Sequence, residues 1–384
     1  MNTSEKSSVL QENEIYGLTK LMEPNLSLEQ IKYLNLDFQQ TTQDKFPMIA
    51  SQIENCSNLK YLILDFSHEY GQIYVSRKQL SILGASITKC KQISLLQMDF
   101  TLQKIEENGV LFIASIIKGC KNLQILNLFG FGSTLRDEGL SRIATALPKC
   151  QKITKLAISF ICDEISDEGL QNLGSALVNC QRLQELSLEI CDNCFRDDGL
   201  SKLGLNLAKS VNLQVLKINT HDRNPTYIKP TSKGYYDLCA HLSNLNNLKE
   251  FFLGFCWEIN GACLPQVGLA LKTCKNLIKL FLLVRFEVSD KDTEEFAFHI
   301  QNYRNLIQFD ILINLHEKTK KKLQRKIFKM PRIVCFSIED EDFVDLIVED
   351  NLRYLAIHRL EKQIIRIKQF DCPKFNDSND QSNK

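Results

Sequence analysis

Residues 150–180, CQKITKLAISFICDEISDEGLQNLGSALVNC, contain one complete copy of a pattern that returns every thirty residues. The pattern is Cys-x-x-apolar-x-x-Leu-x-apolar, and its first position is occupied in turn by Cys90, Cys120, Cys150, Cys180 and Ser210. A fixed period of this size is typical of stacked supersecondary units. The sequence therefore predicts a solenoid and not a conventional globular domain.

Each copy has two halves with different periods. In the first half Leu156 and Ile158 alternate with other residues, which indicates a short strand with one buried face. In the second half apolar residues recur at intervals of three and four, which indicates a helix. Ser166 or Asp167 occupies the expected N-cap, and the recurring cysteine ends the helical half as a small buried residue.

Further copies extend the array in both directions. They begin near Leu28 and continue to Ile338, with a degenerate copy at Leu352, Leu355 and Ile357. We expect eleven units, or twelve with the degenerate one, across residues 28–358. Residues 1–27 are predicted to form an N-terminal cap, 359–371 a C-terminal cap and 372–384 a disordered tail. A ladder of stacked rings is expected from Phe38, Phe66, Phe100, Phe160 and Phe255.

These residues resemble a known family. Leu-x-x-Leu-x-Leu, followed by the helical phrase of residues 169–177, is similar to the leucine-rich repeats of the ribonuclease-inhibitor-like class, and residues 173–180 are similar to the repeats expanded in ciliate proteins. The resemblance implies an α/β horseshoe with a parallel sheet on the concave side and helices on the convex side. Where the class has an asparagine after the strand, this chain has Ser67, Thr101, Phe131 and Ile161, so we expect the turn geometry there to differ.

Composition narrows the class of protein. The chain is 44% hydrophobic and 24% charged, as folded proteins are, and its formal net charge of +1 gives no global attraction to nucleic acid or anionic membranes. The first residues have no apolar signal region, and the sequence contains no run of eighteen apolar residues of the kind that a membrane span needs. Fourteen cysteines then indicate a reducing compartment, the cytoplasm or the nucleus.

The strand register predicts which side chains face a partner. If Leu62 and Leu64 face the core, Tyr61 and Asp65 face the concave side. The same reasoning gives twelve candidate partner-binding residues: Tyr33, Asp37, Tyr61, Asp65, Asp99, Phe129, Glu185, Glu189, Glu250, Phe252, Phe281 and Leu283. An uncovered parallel sheet with clustered aromatic residues is typical of a protein interface. The alternative is that Phe252 and Phe281 pack on long neighbours of the same face.

One unit contains an insertion at residues 219–235. Pro225 and Pro230 exclude a regular helix there, so we expect a loop on one rim of the solenoid. Arg223, Tyr227 and Lys229 are its candidate binding residues. A passive insertion is the alternative, because long loops cost little.

No pattern indicates a catalytic or metal site. Cys191 and Cys194 have the spacing of half a zinc site, but no second pair completes four ligands. Gly130 and Gly132 lack the remaining residues of a phosphate loop, and a turn explains them. We therefore predict no enzyme activity, no cofactor, no small-molecule substrate and no bound metal.

The run of lysines and arginines at 318–329 has two interpretations. It is either functional, as a patch that binds nucleic acid, an acidic protein or an anionic surface or as a nuclear signal, or it is a solvated convex helix. The solvated helix is favoured because no aromatic residue is interleaved with the charges. Nucleic-acid binding is not expected.

The preferred function is a non-enzymatic scaffold that binds a protein on its concave face. One alternative is a GTPase-activating protein of the Ran type, which shares the repeat class, although Arg136 and Arg196 occupy repeated slots that suggest a structural role. The other is a structural component of a cytoskeletal or ciliary assembly.

Overall fold

One parallel sheet runs through the whole described part of the chain. The computed structural model describes residues 14–38, 41–67, 76–104, 107–132, 135–161, 164–221, 229–256, 259–313, 315–330 and 332–339. Its twelve strands pair in chain order without a crossover, and the sheet does not close. The strands are β1 Glu14–Tyr16, β2 Tyr33–Asp37, β3 Tyr61–Asp65, β4 Leu95–Lys104, β5 Ile125–Gly132, β6 Lys155–Ile161, β7 Glu185–Glu189, β8 Val215–Asn219, β9 Glu250–Gly254, β10 Lys279–Val284, β11 Gln308–Ile313 and β12 Cys335–Glu339.

A helix connects each strand to the next, and consecutive helices pack side by side. The helices are α1 Leu18–Leu21, α2 Phe46–Asn55, α3 Arg77–Lys89, α4 Glu107–Gly119, α5 Arg136–Ala146, α6 Asp167–Val178, α7 Asp197–Leu207, α8 Ser232–Leu242, α9 Cys263–Leu271, α10 Asp290–Ile300 and α11 Glu317–Ile327. Three short 3-10 helices lie at Leu28–Gln30, Gln43–Lys45 and Leu147–Lys149.

This architecture confirms the predicted α/β solenoid. Strands β2 to β12 coincide with the eleven units expected from the repeat. Strand β1, in the stretch predicted as a cap, adds a further strand by pairing Ile15 with Leu34. Both Ile15 and Leu21 of this stretch are buried against the first unit.

The core consists of the alternate strand residues and the apolar stripe of each helix. In β7, for example, Leu186 and Leu188 are buried, and they join a continuous cluster from Ile15 to Met330. The expected ring ladder is present among its first three members, since Phe66 stacks between Phe38, at 4.5 Å between centroids, and Phe100, at 5.0 Å. Phe160 and Phe255 are also buried, but Phe255 packs on Tyr235 and Phe286. The period of two thus places one side of every strand in the core.

The recurring cysteines pack as predicted at the ends of the helices. Cys90 Sγ donates to the Ile53 carbonyl at 3.1 Å, and Cys150 Sγ donates to that of Ile117 at 2.6 Å, so each thiol bonds to the preceding unit. Burial raises the pKa of Cys120 and Cys180 to about 12 and that of Cys90 and Cys150 to about 11. A thiol that stays protonated is inert as a nucleophile or metal ligand, which fits a packing role.

The strands begin level with one another. The first residues of β2 to β12 are paired in an unbroken series from Tyr33 to Cys335. Within the described residues the register shifts only later in the strands, after Asp99 and after Leu128. The turns that precede the strands therefore form an even rim.

Candidate functional site on the open face of the sheet

One face of the sheet packs on the helices, and the other face carries the first, third and fifth side chains of the strands. We call the latter the open face. In β3 it presents Tyr61, Ile63 and Asp65, which are half-buried or exposed while Leu62 and Leu64 are buried. This alternation agrees with the register predicted from the sequence. Parallel pairing then arranges equivalent side chains in rows, about 4.8 Å from strand to strand.

The fifth position of the first strands forms a row of carboxylates, which we call the acid row. Asp37 lies opposite Asp65, and Asp65 lies opposite Asp99. Asp65 Oδ1 accepts from Ser67 through the backbone N–H at 2.9 Å and the hydroxyl at 2.6 Å. Thr101 makes the same two bonds to Asp99. These bonds hold the carboxylates in place without neutralising them.

The electrostatics of the acid row are unfavourable. Burial raises the pKa of Asp65, the bonds from Ser67 lower it, and the neighbouring carboxylates of Asp99 and Asp37 raise it further. In the described part of the chain no lysine or arginine makes an ion pair with Asp65 or Asp99. A cationic partner would relieve the repulsion.

Tyrosines adjoin the acid row at the start of the same strands. Tyr61 is 42% exposed, and Tyr33 is half-buried with its ring 5.2 Å from that of Tyr16. The structure thus groups five of the predicted residues, Tyr33, Asp37, Tyr61, Asp65 and Asp99, on three consecutive strands.

The predicted glutamates of the middle and later strands already have partners on the same face. Lys155 pairs with Glu185, with 2.7 Å between nitrogen and oxygen, and Lys279 pairs with Glu250 at the same distance. Glu189 accepts from the Ser159 hydroxyl at 2.8 Å. Each of these carboxylates therefore bonds to a side chain on an adjacent strand of the same face.

The predicted apolar anchors pack on one another. Phe252 and Phe281 stack with centroids 4.9 Å apart, and together with Leu283 and Leu312 they form a separate apolar cluster. Phe252 is only 8% exposed and Leu283 only 9% exposed, as is Phe129 at 8%. Phe252 and Phe281 thus pack within the open face, which is the alternative to their role as exposed anchors.

Of the three candidate binding residues in the insertion, only Lys229 is among the described residues. Arg223 and Tyr227 lie outside the described residues, and Lys229 is half-buried at its end. Two residues later, Thr231 caps α8: its hydroxyl accepts from the Lys233 backbone N–H at 3.2 Å.

The starts of helices α5 to α8 form one rim of the solenoid, which we call the capping rim. Ser166 is the N-cap of its own helix, whereas Asp167 bonds to the next helix, since Asp167 Oδ1 accepts from the backbone N–H of Arg196 at 2.6 Å and of Gly199 at 2.8 Å. A Cβ at residue 199 would lie 3.0 Å from the Asp167 Cα, which explains the glycine. The same link joins Asp137 to Ser166, and Asp197 to Thr231 and Gly234.

The opposite rim carries a ladder of asparagines that the sequence reasoning missed. Asn212 Nδ2 donates to the Gln181 carbonyl of the preceding turn at 2.7 Å, and Asn247 donates to that of Val211 at 2.7 Å. Asn58, Asn122, Asn276 and Asn305 make equivalent bonds. The detectable signal was an asparagine two places after the cysteine position.

This second rim is also strongly cationic, and we call it the basic rim. It comprises the last turn of each helix and the following turn, from α3 to β12. Every formal charge in its described residues is positive: Lys89, Lys91, Lys118, Lys121, Lys149, Lys152, Arg182, Lys209, Lys249, Lys272, Lys275, Arg304, Arg325, Lys326, Lys329 and Arg332. Of these, only Lys89 makes an ion pair with a carboxylate of the described residues, that of Glu54 at 2.6 Å. Cations are favoured at helix C-termini.

The remaining motifs of the sequence have the following places in the described part of the structure. Within the described ranges no three His, Cys, Asp or Glu residues are close enough to hold a metal ion, and Cys162 lies outside those ranges. The turn interpretation of Gly130 and Gly132 is wrong, because both lie within β5: Gly130 has φ 74° at the register shift between Leu128 and Phe131 and lies against the Thr101 backbone. Arg136 pairs with Glu164 at 3.0 Å. Among the helices that the structure describes, none is long and apolar enough to cross a bilayer.

Comparison with known proteins adds little. No family model matches the chain, and no curated protein matches it. A crystal structure of a Bacteroides fragilis protein is similar over 87% of this chain and 81% of its own, with 11% sequence identity and a TM-score of 0.42. At that TM-score the similarity indicates neither a shared fold nor a shared function.

Proposed function

We propose that this chain is a leucine-rich-repeat scaffold of the ribonuclease-inhibitor-like class, and that it binds a protein on its open face without catalysing a reaction. The observation that carries the proposal is the acid row, in which Asp65 and Asp99 sit beside one another on an exposed sheet without a cationic partner in the described residues. Binding of a basic partner would reduce the repulsion between these carboxylates.

The dimensions favour a protein over a metabolite. Eleven strands from β2 to β12, about 4.8 Å apart, give a face on the order of 50 Å long. Tyr33 and Tyr61 add aromatic contact area next to the acid row, and tyrosine is enriched among the anchors of protein interfaces. We therefore place the centre of binding on β2 to β4 and assign the partner a segment rich in lysine or arginine.

The later strands contribute less in this proposal. Glu185 and Glu250 are already paired with lysines, and the cluster of Phe252 and Phe281 exposes little area. These groups complete the surface around the centre of binding.

A charge reversal tests the proposal. The full chain is used as bait, and proteins retained by the wild type are compared with those retained by the double variant Asp65→Lys/Asp99→Lys. The matched control is Glu168→Lys/Glu287→Lys, which makes the same change in charge at exposed carboxylates away from the open face. We expect a partner that the control retains and the acid-row variant binds at least about tenfold more weakly in calorimetry with purified components. Equal affinity in folded variants would contradict the proposal.

A second measurement tests the absence of catalysis. In single-turnover GTP hydrolysis by small GTPases, we expect no change on adding the chain. Acceleration would contradict the scaffold function and would favour the GTPase-activating alternative.

A further inference from the structure

The carboxyl-terminal half of the basic rim combines free cations with exposed apolar side chains. Val334, at 78% exposed, and Phe328, at 72%, are the most exposed large apolar residues of the described chain. Both lie between α11 and β12, and Phe298, at the end of α10, is also exposed. Exposed apolar side chains grouped in this way indicate a contact surface.

The cations of this half are not neutralised by carboxylates. Lys275, Arg304, Arg325 and Lys329 make no ion pair within the described residues, and Arg332 bonds to the neutral amide oxygen of Asn305 at 2.9 Å. The asparagine ladder explains why, because it links the turns without using acids. The positive charge therefore remains available to an external anion.

The shape of this region suits a flat partner. Strands β8 to β12 begin in register, so the turns before them lie level along an edge of roughly 20 Å. A shallow depression of about 480 Å³ opens among these turns, between Asn246 and Arg332. An even edge with protruding apolar residues and surrounding cations fits a planar, anionic and partly apolar surface.

We propose that the basic rim from β8 to β12 docks on an anionic lipid bilayer. Arg304, Arg325 and Lys329 contact the acidic headgroups, while Phe328 and Val334 enter the boundary between headgroups and acyl chains. Apolar side chains flanked by cations bind bilayers in this way, and the electrostatic part falls with salt. The rim lies before the first residue of each strand and the acid row lies at the fifth, so a docked chain keeps the acid row accessible. This proposal does not depend on the proposed scaffold function.

The test is sedimentation of the full chain with phosphatidylcholine vesicles, with and without phosphatidylserine. We expect binding only to vesicles that contain phosphatidylserine, weakened about tenfold or more at high salt. Equal binding to both kinds of vesicle, or to neither, would overturn the proposal.

Variants locate the contact. Arg325→Glu/Lys329→Glu is expected to abolish binding, and Phe328→Ser/Val334→Ser to weaken it several-fold. The control Lys118→Glu/Lys121→Glu makes the same charge change on the amino-terminal half of the same rim and is expected to bind as the wild type does. Circular dichroism verifies that each variant is folded.

Two results would contradict the assignment to lipid. One is a control that loses binding as completely as Arg325→Glu/Lys329→Glu, which would indicate a diffuse charge effect. The other is tighter binding to an RNA homopolymer than to the vesicles, which would make nucleic acid the occupant. Neither result would affect the acid row, whose variants are different.

Discussion

Both rims of the solenoid link consecutive units by bonds from side chains to the backbone, but they use different side chains. On the capping rim, the carboxylate of Asp167 accepts from the backbone of the next helix, and on the basic rim the amide of Asn212 donates to the backbone of the preceding turn. The carboxylates of Asp137, Asp167 and Asp197 are thus used within the fold, whereas among the described cations of the second rim only Lys89 makes an ion pair with a carboxylate. A formal net charge of +1 conceals this polarity.

The direction of the strands explains the difference. Because all strands are parallel, all connecting helices have the same sense and their N-termini gather at one rim. Free backbone N–H groups there select acceptors such as Asp167, and the partial positive charge favours anions. At the other rim, turn carbonyls select amide donors, and the helix C-termini favour cations.

The largest expected contrast between the rims is in thiol reactivity. The column from Cys90 to Cys180 lies just inside the basic rim, with pKa values raised by burial to about 11 or 12, whereas Cys194 is half-buried near the capping rim. At pH 8 the thiolate fraction of the column falls about a hundredfold or more below that of an ordinary cysteine. We expect iodoacetamide to label Cys194 faster than the cysteines of the column, as measured by peptide mass spectrometry. Labelling of native Cys120 as fast as Cys194 would contradict this, and denatured protein is the control.

The second largest effect is expected when one carboxylate of the capping rim is removed. Asp167→Ala removes two bonds to the backbone of α7, and we expect it to lower the free energy of unfolding by about 2–3 kcal/mol. The matched control is the neighbouring exposed Glu168→Ala, for which we expect a change within about 0.5 kcal/mol. Urea denaturation measures both. Similar losses in the two variants would show that Asp167 acts only through its charge.

A smaller effect is expected on the basic rim. Asn247→Ala removes one bond between neutral groups, so the free energy of unfolding should fall by about 1 kcal/mol. The adjacent Asn246→Ala leaves the ladder intact and is the control. If Asn247→Ala costs as much as Asp167→Ala, the proposed difference between carboxylate and amide links is wrong.

The smallest effect concerns the acid row and pH. The pKa of Asp65 is raised in the folded state, mainly by burial, so the folded protein holds its proton more tightly than the unfolded chain does. Stability is therefore lost as the pH rises from the ordinary value near 3.8 through the raised value. Asp65→Asn should be more stable than the wild type at pH 7 by about 0.5 kcal/mol, and the difference should vanish near pH 3. Urea midpoints at the two pH values check the sign, and a variant less stable at pH 7 would contradict it.

The repeat period predicts the fold because it acts within a single unit. The spacing of Leu186 and Leu188 identifies a strand with one buried face, and the thirty-residue step stacks that strand on its neighbours. The same alternation predicts which side chains lie on the open face, including Tyr61 and Asp65.

What the period does not reveal are the contacts between units. Phe252 is buried because Phe281 lies opposite it on the next strand, and that depends on the register between strands. Asp167 resembles a cap for its own helix, and only the offset between α6 and α7 turns it toward Arg196. The asparagine ladder was visible as a column in the sequence, but its acceptor carbonyls belong to other turns.

The constant step from Cys90 to Ser210 has a consequence for how such a chain evolves. The junctions made by Asp137 and Asp167 present equivalent donors and acceptors, so a gene segment encoding one step there can be duplicated or deleted by unequal recombination and still meet matching neighbours. The sheet can then lengthen or shorten by whole repeat units, without a new set of contacts between one unit and the next.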